Sequence, residues 1–253
     1  MINRHEKIGI KQVIKLEWMD KTANLLLTGL DEKSIRQEIR EYLISQKKAG
    51  LKANQSEKTI TFTVANLMTT WFSPGSELLE FRDDALDMLC AHPSETPATH
   101  WAMLCAVYPF WFNVALQIGR LLNLQNHVTV QQINNRLKEQ YGDRQTVSRY
   151  ALYVIRSFVA WGVLKSSNHK GCYERSTSLS IHDRDIAILL IEAILHAIPE
   201  GKGHLRMLTN SPALFPFRLP ILTGDMISHR ASRIDVTFYG LEDEFLKLRE
   251  IKR

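Results

Sequence analysis

Between Arg144 and Arg156, side chains that can hydrogen-bond in a plane or carry positive charge recur on one side of a helical period. They are Gln145, Ser148, Arg149 and Arg156, with Leu152 among them and Arg144, Thr146 and Tyr153 flanking. The other side of the period is apolar, built from Val147, Tyr150, Ala151, Val154, Phe158 and Trp161. Spacings of three and four residues put each set on its own helix face. Gln matches the paired donor and acceptor of adenine and Arg matches guanine, whereas Ser and Tyr suit phosphate oxygens. More cations follow the helix at Lys165, His169, Lys170 and Arg175. The chemistry this set supports is recognition of a nucleic acid.

Other reactive constellations are thin. No GxxxxGK[ST] phosphate loop occurs, and the "GKG" at 201–203 reads as a loop. Neither GxSxG nor HExxH is present. His182–Asp185, "HDRD", sits at a helix start, where such residues cap the chain and oppose the helix dipole. Asp235, Glu242, Asp243, Glu244 and Lys247 form the best nuclease suspicion, but they lack the Glu-x-Lys spacing that would group acids and a lysine around Mg²⁺. His100, beside Trp101, reads as a half-buried polar residue. Cys90, Cys105 and Cys172 form no CxxC pair and read as reduced thiols, buried or indifferent. No cofactor, metal or catalytic residue is therefore expected.

Charge singles out the same region. Residues 120–175 hold nine Lys/Arg against three Asp/Glu, a net +6, whereas residues 59–119 hold one against six, a net −5. The whole chain of 253 residues carries +5. A local basic excess is what a phosphate-binding surface requires. Hydrophobic content of 45% and charged content of 23% suit a folded protein with a core. The two longest apolar stretches, "WAMLCAVYPFWFNVAL" and "IAILLIEAILHAI", are short for a bilayer and read as buried helices. With no apolar signal run after the first residues, a cytoplasmic location and no membrane partner are expected.

The elements that must position the basic face follow from periodicity and punctuation. Helices are predicted over Val13–Leu27 and after Asp31, with Gly29 ending the first. Another is expected around Val64–Trp71 and another after Ser76, read as its cap; two more break near Pro109. Lys47, Lys48, Lys52 and Lys58 make a polar connection. From Pro109 the order is helix, a second helix capped by Thr129, the "YGDR" turn with Gly142 and Asp143 suited to turn and cap, and a third helix over Arg144–Trp161. Two short strands then flank a basic tip. In the C-terminal section a strongly apolar helix precedes short helices around three prolines, and two strands include "SRIDVTFYG" and "DEFLKLREI". That section is either a second unit of the same order, less regular, or a helical cap ending in a hairpin.

Thr129 with Arg136 and Leu137 before the turn, "TVSR" after it and "WGVL" leading into the hairpin resemble winged-helix DNA-binding proteins over about 70 residues. "LLLTGLDEKSIRQEI", the central unit and "SPALFPFRL" also give the chain a layout similar to the BrxA-like accessory proteins of BREX phage-exclusion systems. The "YPFWF" segment and the long C-terminal tail depart from that pattern. The resemblance implies a non-enzymatic DNA-binding protein of antiviral defence. The expectation is a mainly α chain with a helical region over 1–108, a winged helix over 109–181 and a helical region with a terminal hairpin over 182–253. The expected partner is double-stranded DNA, with other proteins of the same complex and a homodimer left open. The alternatives are a winged-helix scaffold that contacts proteins through residues 101–112 and, third, a metal-dependent nuclease.

Overall fold

The computed structural model describes residues 4–48, 56–239 and 243–249. Among them the chain is mainly helical, with eight short strands in three small sheets. The N-terminal region packs α1 (Leu16–Leu27), α2 (Glu32–Lys48), α3 (Glu57–Trp71), α4 (Leu79–Ala91) and α5 (Thr96–Val107). Gly29 adopts a φ of 75° after α1, and Asp31 Oδ1 accepts from Ser34 N at 2.8 Å to start α2. The connection expected to be polar falls partly on residues 49–55, outside the described residues, and Lys58 lies inside α3. The "TFTV" stretch of α3 is helical although Thr, Phe and Val suit strands. Ile60, Val64, Leu67, Met68 and Trp71 are buried at helical spacing, and Thr63 and Thr70 donate to the carbonyls four residues back. Ser76 does not cap α4. It opens a single tighter turn over Ser76–Leu78, and the residue before α4 is Leu78, which makes no side-chain cap.

The deepest packing lies around α5, α6 (Pro109–Leu122) and α9 (Arg184–Ala197). Pro109 separates the first two, whose axes bend by 115°. Every residue from Ala98 to Ala115 is buried, and so is every residue from Ile186 to Ala197. Trp101 lies 4.7 Å from the Phe158 ring and within about 6 Å of those of Trp111, Trp161, Phe215 and Phe217. One aromatic cluster thus ties four parts of the chain together. His100 is fully buried rather than half-buried, and its Nε2 lies 2.7 Å from Asp20 Oδ1. No single helix among the described residues is long and apolar enough to cross a membrane.

The central unit continues from α6 through β1 (His127–Thr129), α7 (Val130–Tyr141), α8 (Gln145–Ala160), β2 (Leu164–Ser166) and β3 (Cys172–Arg175). Its strands lie antiparallel in the order β1-β3-β2. This is the predicted order of elements with one strand added. Three residues are too few to show alternation, which is why β1 is hidden in the sequence.

The C-terminal unit repeats that order. α9 leads to β5 (Lys202–His204), α10 (Leu205–Thr209), α11 (Gly224–Arg230), β7 (Ile234–Tyr239) and β8 (Asp243–Leu248), with strand order β5-β8-β7. Of the two arrangements left open by the sequence, the one present is a second helix–strand–helix–helix–strand–strand unit. The tight turn of the central unit is replaced by residues 210–223, which include β6 (Phe217–Arg218), paired in parallel with β4 (Leu179–Ser180). The turn at Pro212–Leu214 packs directly on α6, where a Cβ on Gly119 would lie 1.8 Å from the Pro212 carbonyl oxygen. The two units are therefore joined by backbone pairing and by close backbone contact.

Candidate nucleic-acid interface

α7 is set by a capping box. Thr129 Oγ1 accepts from Gln132 N at 3.1 Å, and Gln132 Oε1 accepts from Thr129 N at 2.9 Å. Ile133, Leu137 and Tyr141 are buried on the inner face. Gly142, at φ 80°, reverses the chain. Asp143 does not cap the next helix but pairs with Lys138 at 2.8 Å, and the residue before α8 is Arg144, which makes no side-chain cap. α8 therefore starts at Gln145, one residue later than predicted.

The inner face of α8 buries Val147, Ala151, Val154, Ile155 and Phe158, while Tyr150 and Trp161 are half-buried. Its last turns are tied to the N-terminal segment. Ser157 Oγ accepts from Ile14 N at 2.9 Å, and Trp161 Nε1 donates to the Ile14 carbonyl at 3.0 Å. Both contacts lie on the protein side of the helix, so they fix its position without covering the outer face.

On that outer face Gln145, Thr146, Arg149 and Arg156 are exposed, and Ser148, Leu152 and Tyr153 are half-buried. Arg149 and Arg156 are separated by two turns, on the order of 10 Å along the axis. The helix carries no acidic residue. Tyr153 stacks on Tyr150 with ring centroids 6.1 Å apart. Arg144 is drawn away from this face. Its guanidinium donates to the Tyr141 carbonyl at 2.9 and 3.2 Å, at the negative end of α7. Of the hairpin residues, Lys165 is exposed on β2, and His169 and Lys170 are exposed at the tip between β2 and β3. Arg175 is exposed at the end of β3 and donates to Asn123 Oδ1 at 2.9 Å. Arg136 of α7 and His127 of β1 are exposed members of the unit absent from the predicted set. Arg136 is one of the nine Lys/Arg of residues 120–175 and stands in the sequence pattern before the turn, whereas no sequence signal pointed to His127.

The other sequence candidates are placed elsewhere. Asp183 Oδ1 accepts from the backbone of Asp185 at 2.7 Å and Ile186 at 3.3 Å, which makes "HDRD" a helix cap. Asp235 pairs with Arg249 at 2.6 Å, Asp243 with His204 Nδ1 at 2.7 Å, and Glu244 accepts from Gly224 N at 2.7 Å. Asp243 and Glu244 are successive strand residues and point to opposite faces. Asp235 and Asp243 stand on one face but four positions apart along the ladder, about 13 Å. These acids therefore do not converge on one ion; Glu242 lies outside the described residues. Residues 101–112, expected as the contact region of a scaffold, are all buried and form no exposed contact face; Phe112 alone borders a cleft between the central and C-terminal units. Comparisons of the chain with protein-family models, with curated proteins and with solved structures return no match.

Proposed function

We propose that residues 109–181 form a winged helix that binds double-stranded DNA without catalysis, in a phage-defence complex or as a regulator. The observation that carries this reading is the outer face of α8. It presents Gln145, Thr146, Arg149 and Arg156 to solvent, has no acid, and is held from behind by the core and by Ile14. Gln145 and Thr146 at the start of α8 reach for base edges, and Arg149 is the guanine reader. Arg156, Lys165, Lys170 and Arg175 meet phosphates, with His169 at the hairpin tip. Arg144 positions the turn through Tyr141 and adds charge rather than a base contact.

Anisotropy of a labelled duplex titrated with the full chain tests this. Four cations facing phosphates give a slope of log affinity against log salt of about −3.6. Replacing Arg149 and Arg156 by Ala removes the guanine contact and one of the four, and lowers the slope to about −2.7 while the fold stays intact. A salt-independent signal, or an unchanged slope in the double variant, refutes the assignment. A second reading, a scaffold for proteins, is favoured by large apolar side chains left exposed on the C-terminal unit: Met207, Ile221, Phe238 and Tyr239. It predicts no DNA affinity and a self-association, read by sedimentation, that Phe238→Ser with Tyr239→Ser abolishes.

A further inference from the structure

A cleft of about 840 Å³ opens between the central and C-terminal units. Its walls come from α6, the end of α7, α9, β5 and α10, so it exists only because the two units pack together. Phe112, Leu116, Ile194, Ala197, Ile198 and Leu208 make the apolar part. Arg120, Arg144 and Lys202 also line it, against one carboxylate, Glu6. Arg120 and Lys202 are exposed, and among the described residues neither has a carboxylate within ion-pair distance. His5 and His204 stand in the wall, the latter bonded to Asp243.

Tyr141 adds a directed polar group. Its ring is buried, with 6% exposed, and its hydroxyl oxygen accepts from Asn113 Nδ2 at 2.6 Å. Both residues line the cleft. Burial pushes this phenol up to about 12 against the lowering effect of Asn113, so it keeps its proton. That proton is committed to no acceptor among the described hydrogen bonds. Volume, apolar wall, cationic rim and one inner donor together describe a small-molecule site more closely than a gap between domains.

We propose that this cleft binds a small aromatic anion of about nucleotide size. Its ring lies against Phe112, Leu116 and Ile194, and its anionic group is held by the rim of Arg120, Arg144 and Lys202. The site lies away from the outer face of α8, sharing only Arg144 with the DNA-binding set, and is tested without DNA. The probe is 8-anilino-1-naphthalenesulfonate, an aromatic anion whose fluorescence rises in apolar surroundings, titrated into the full chain. The expected result is saturable one-site binding that weakens roughly tenfold in Arg120→Ala with Lys202→Ala. The uncharged N-phenyl-1-naphthylamine binds both proteins alike. Both substituted side chains are exposed, so the variant keeps its fold, which circular dichroism checks. A third protein, Leu116→Glu, places a carboxylate in the apolar wall and loses the probe. Equal affinity of the sulfonate for wild type and double variant, or no saturable binding to wild type, overturns the proposal.

Discussion

Replacing Arg233 by Met removes the cation that makes Glu192 tolerable inside α9. Glu192 is 2% exposed, and Arg233 donates to both of its oxygens, at 2.6 and 3.1 Å. The same guanidinium reaches Asp84 of α4 at 2.5 Å. One side chain thus joins the N-terminal helices, the central helix α9 and the strand β7 that follows it. Burial alone pushes the Glu192 carboxyl up. The neighbouring His196 and the hydrogen bonds and charge of Arg233 outweigh burial, and the carboxyl lies below its usual 4.5. A depressed carboxyl stabilises the fold above its unfolded value, and that contribution is lost as pH falls through the folded value. Without Arg233 only His196 remains near, its Nε2 3.5 Å from Oε1. Burial then governs, the pKa rises above 4.5, and the ionised form opposes folding.

The expected cost at neutral pH is about 3–5 kcal/mol, the range for breaking a buried ion pair. For a chain of this size that lowers the melting temperature by roughly 10 °C. The deficit must shrink as pH falls towards the raised pKa, because Glu192 then takes a proton and ceases to be a buried charge. Glu192→Leu with Arg233→Met recovers most of the loss, since no lone charge is left behind. Circular-dichroism melts of the three proteins at about pH 7 and about pH 5 read all of this. A melting point for Arg233→Met within about 2 °C of wild type at neutral pH refutes the reasoning, as does a deficit that grows on acidification.

Three other outcomes follow from single contacts. Gly119→Ala forces apart α6 and the Pro212 backbone, and an over-packing loss of about 1–3 kcal/mol or more should show in urea denaturation. Ser157→Ala leaves the Ile14 N–H buried without its acceptor, and the same assay should report a loss of about 1–3 kcal/mol. Burial of His100 outweighs the pull of Asp20 and holds its imidazole below the usual 6.5. A proton therefore binds the unfolded chain more tightly, so stability is full above that value and declines as pH falls below it. His100→Gln should flatten the melting temperature over that range, and an undiminished slope assigns the effect to another group.

The amino-acid sequence by itself determined the helical periodicity, the Thr129 cap, the reversal at Gly142 and the two faces of α8. Each depends on neighbours within a few residues, where propensity and capping act. The hairpin after α8 was equally legible from its turn residues. Tertiary structure decided what local pattern cannot. It added β1 and β5, whose three residues become strands only by pairing with β3 and β8 from distant parts of the chain. It turned Arg144 back onto Tyr141 because the carbonyls ending α7 lie beside it, and it gave Asp143 to Lys138 instead of to the cap. It buried residues 101–112 at the meeting point of α5, α6 and α8, removing a contact surface that their aromatic character had suggested. The cleft between the two units belongs wholly to this second level, for its walls come from residues as far apart in the chain as Phe112 and Met207. Burial, long-range pairing and the competition of one side chain for several partners are properties of the packed molecule, and no window of sequence carries them.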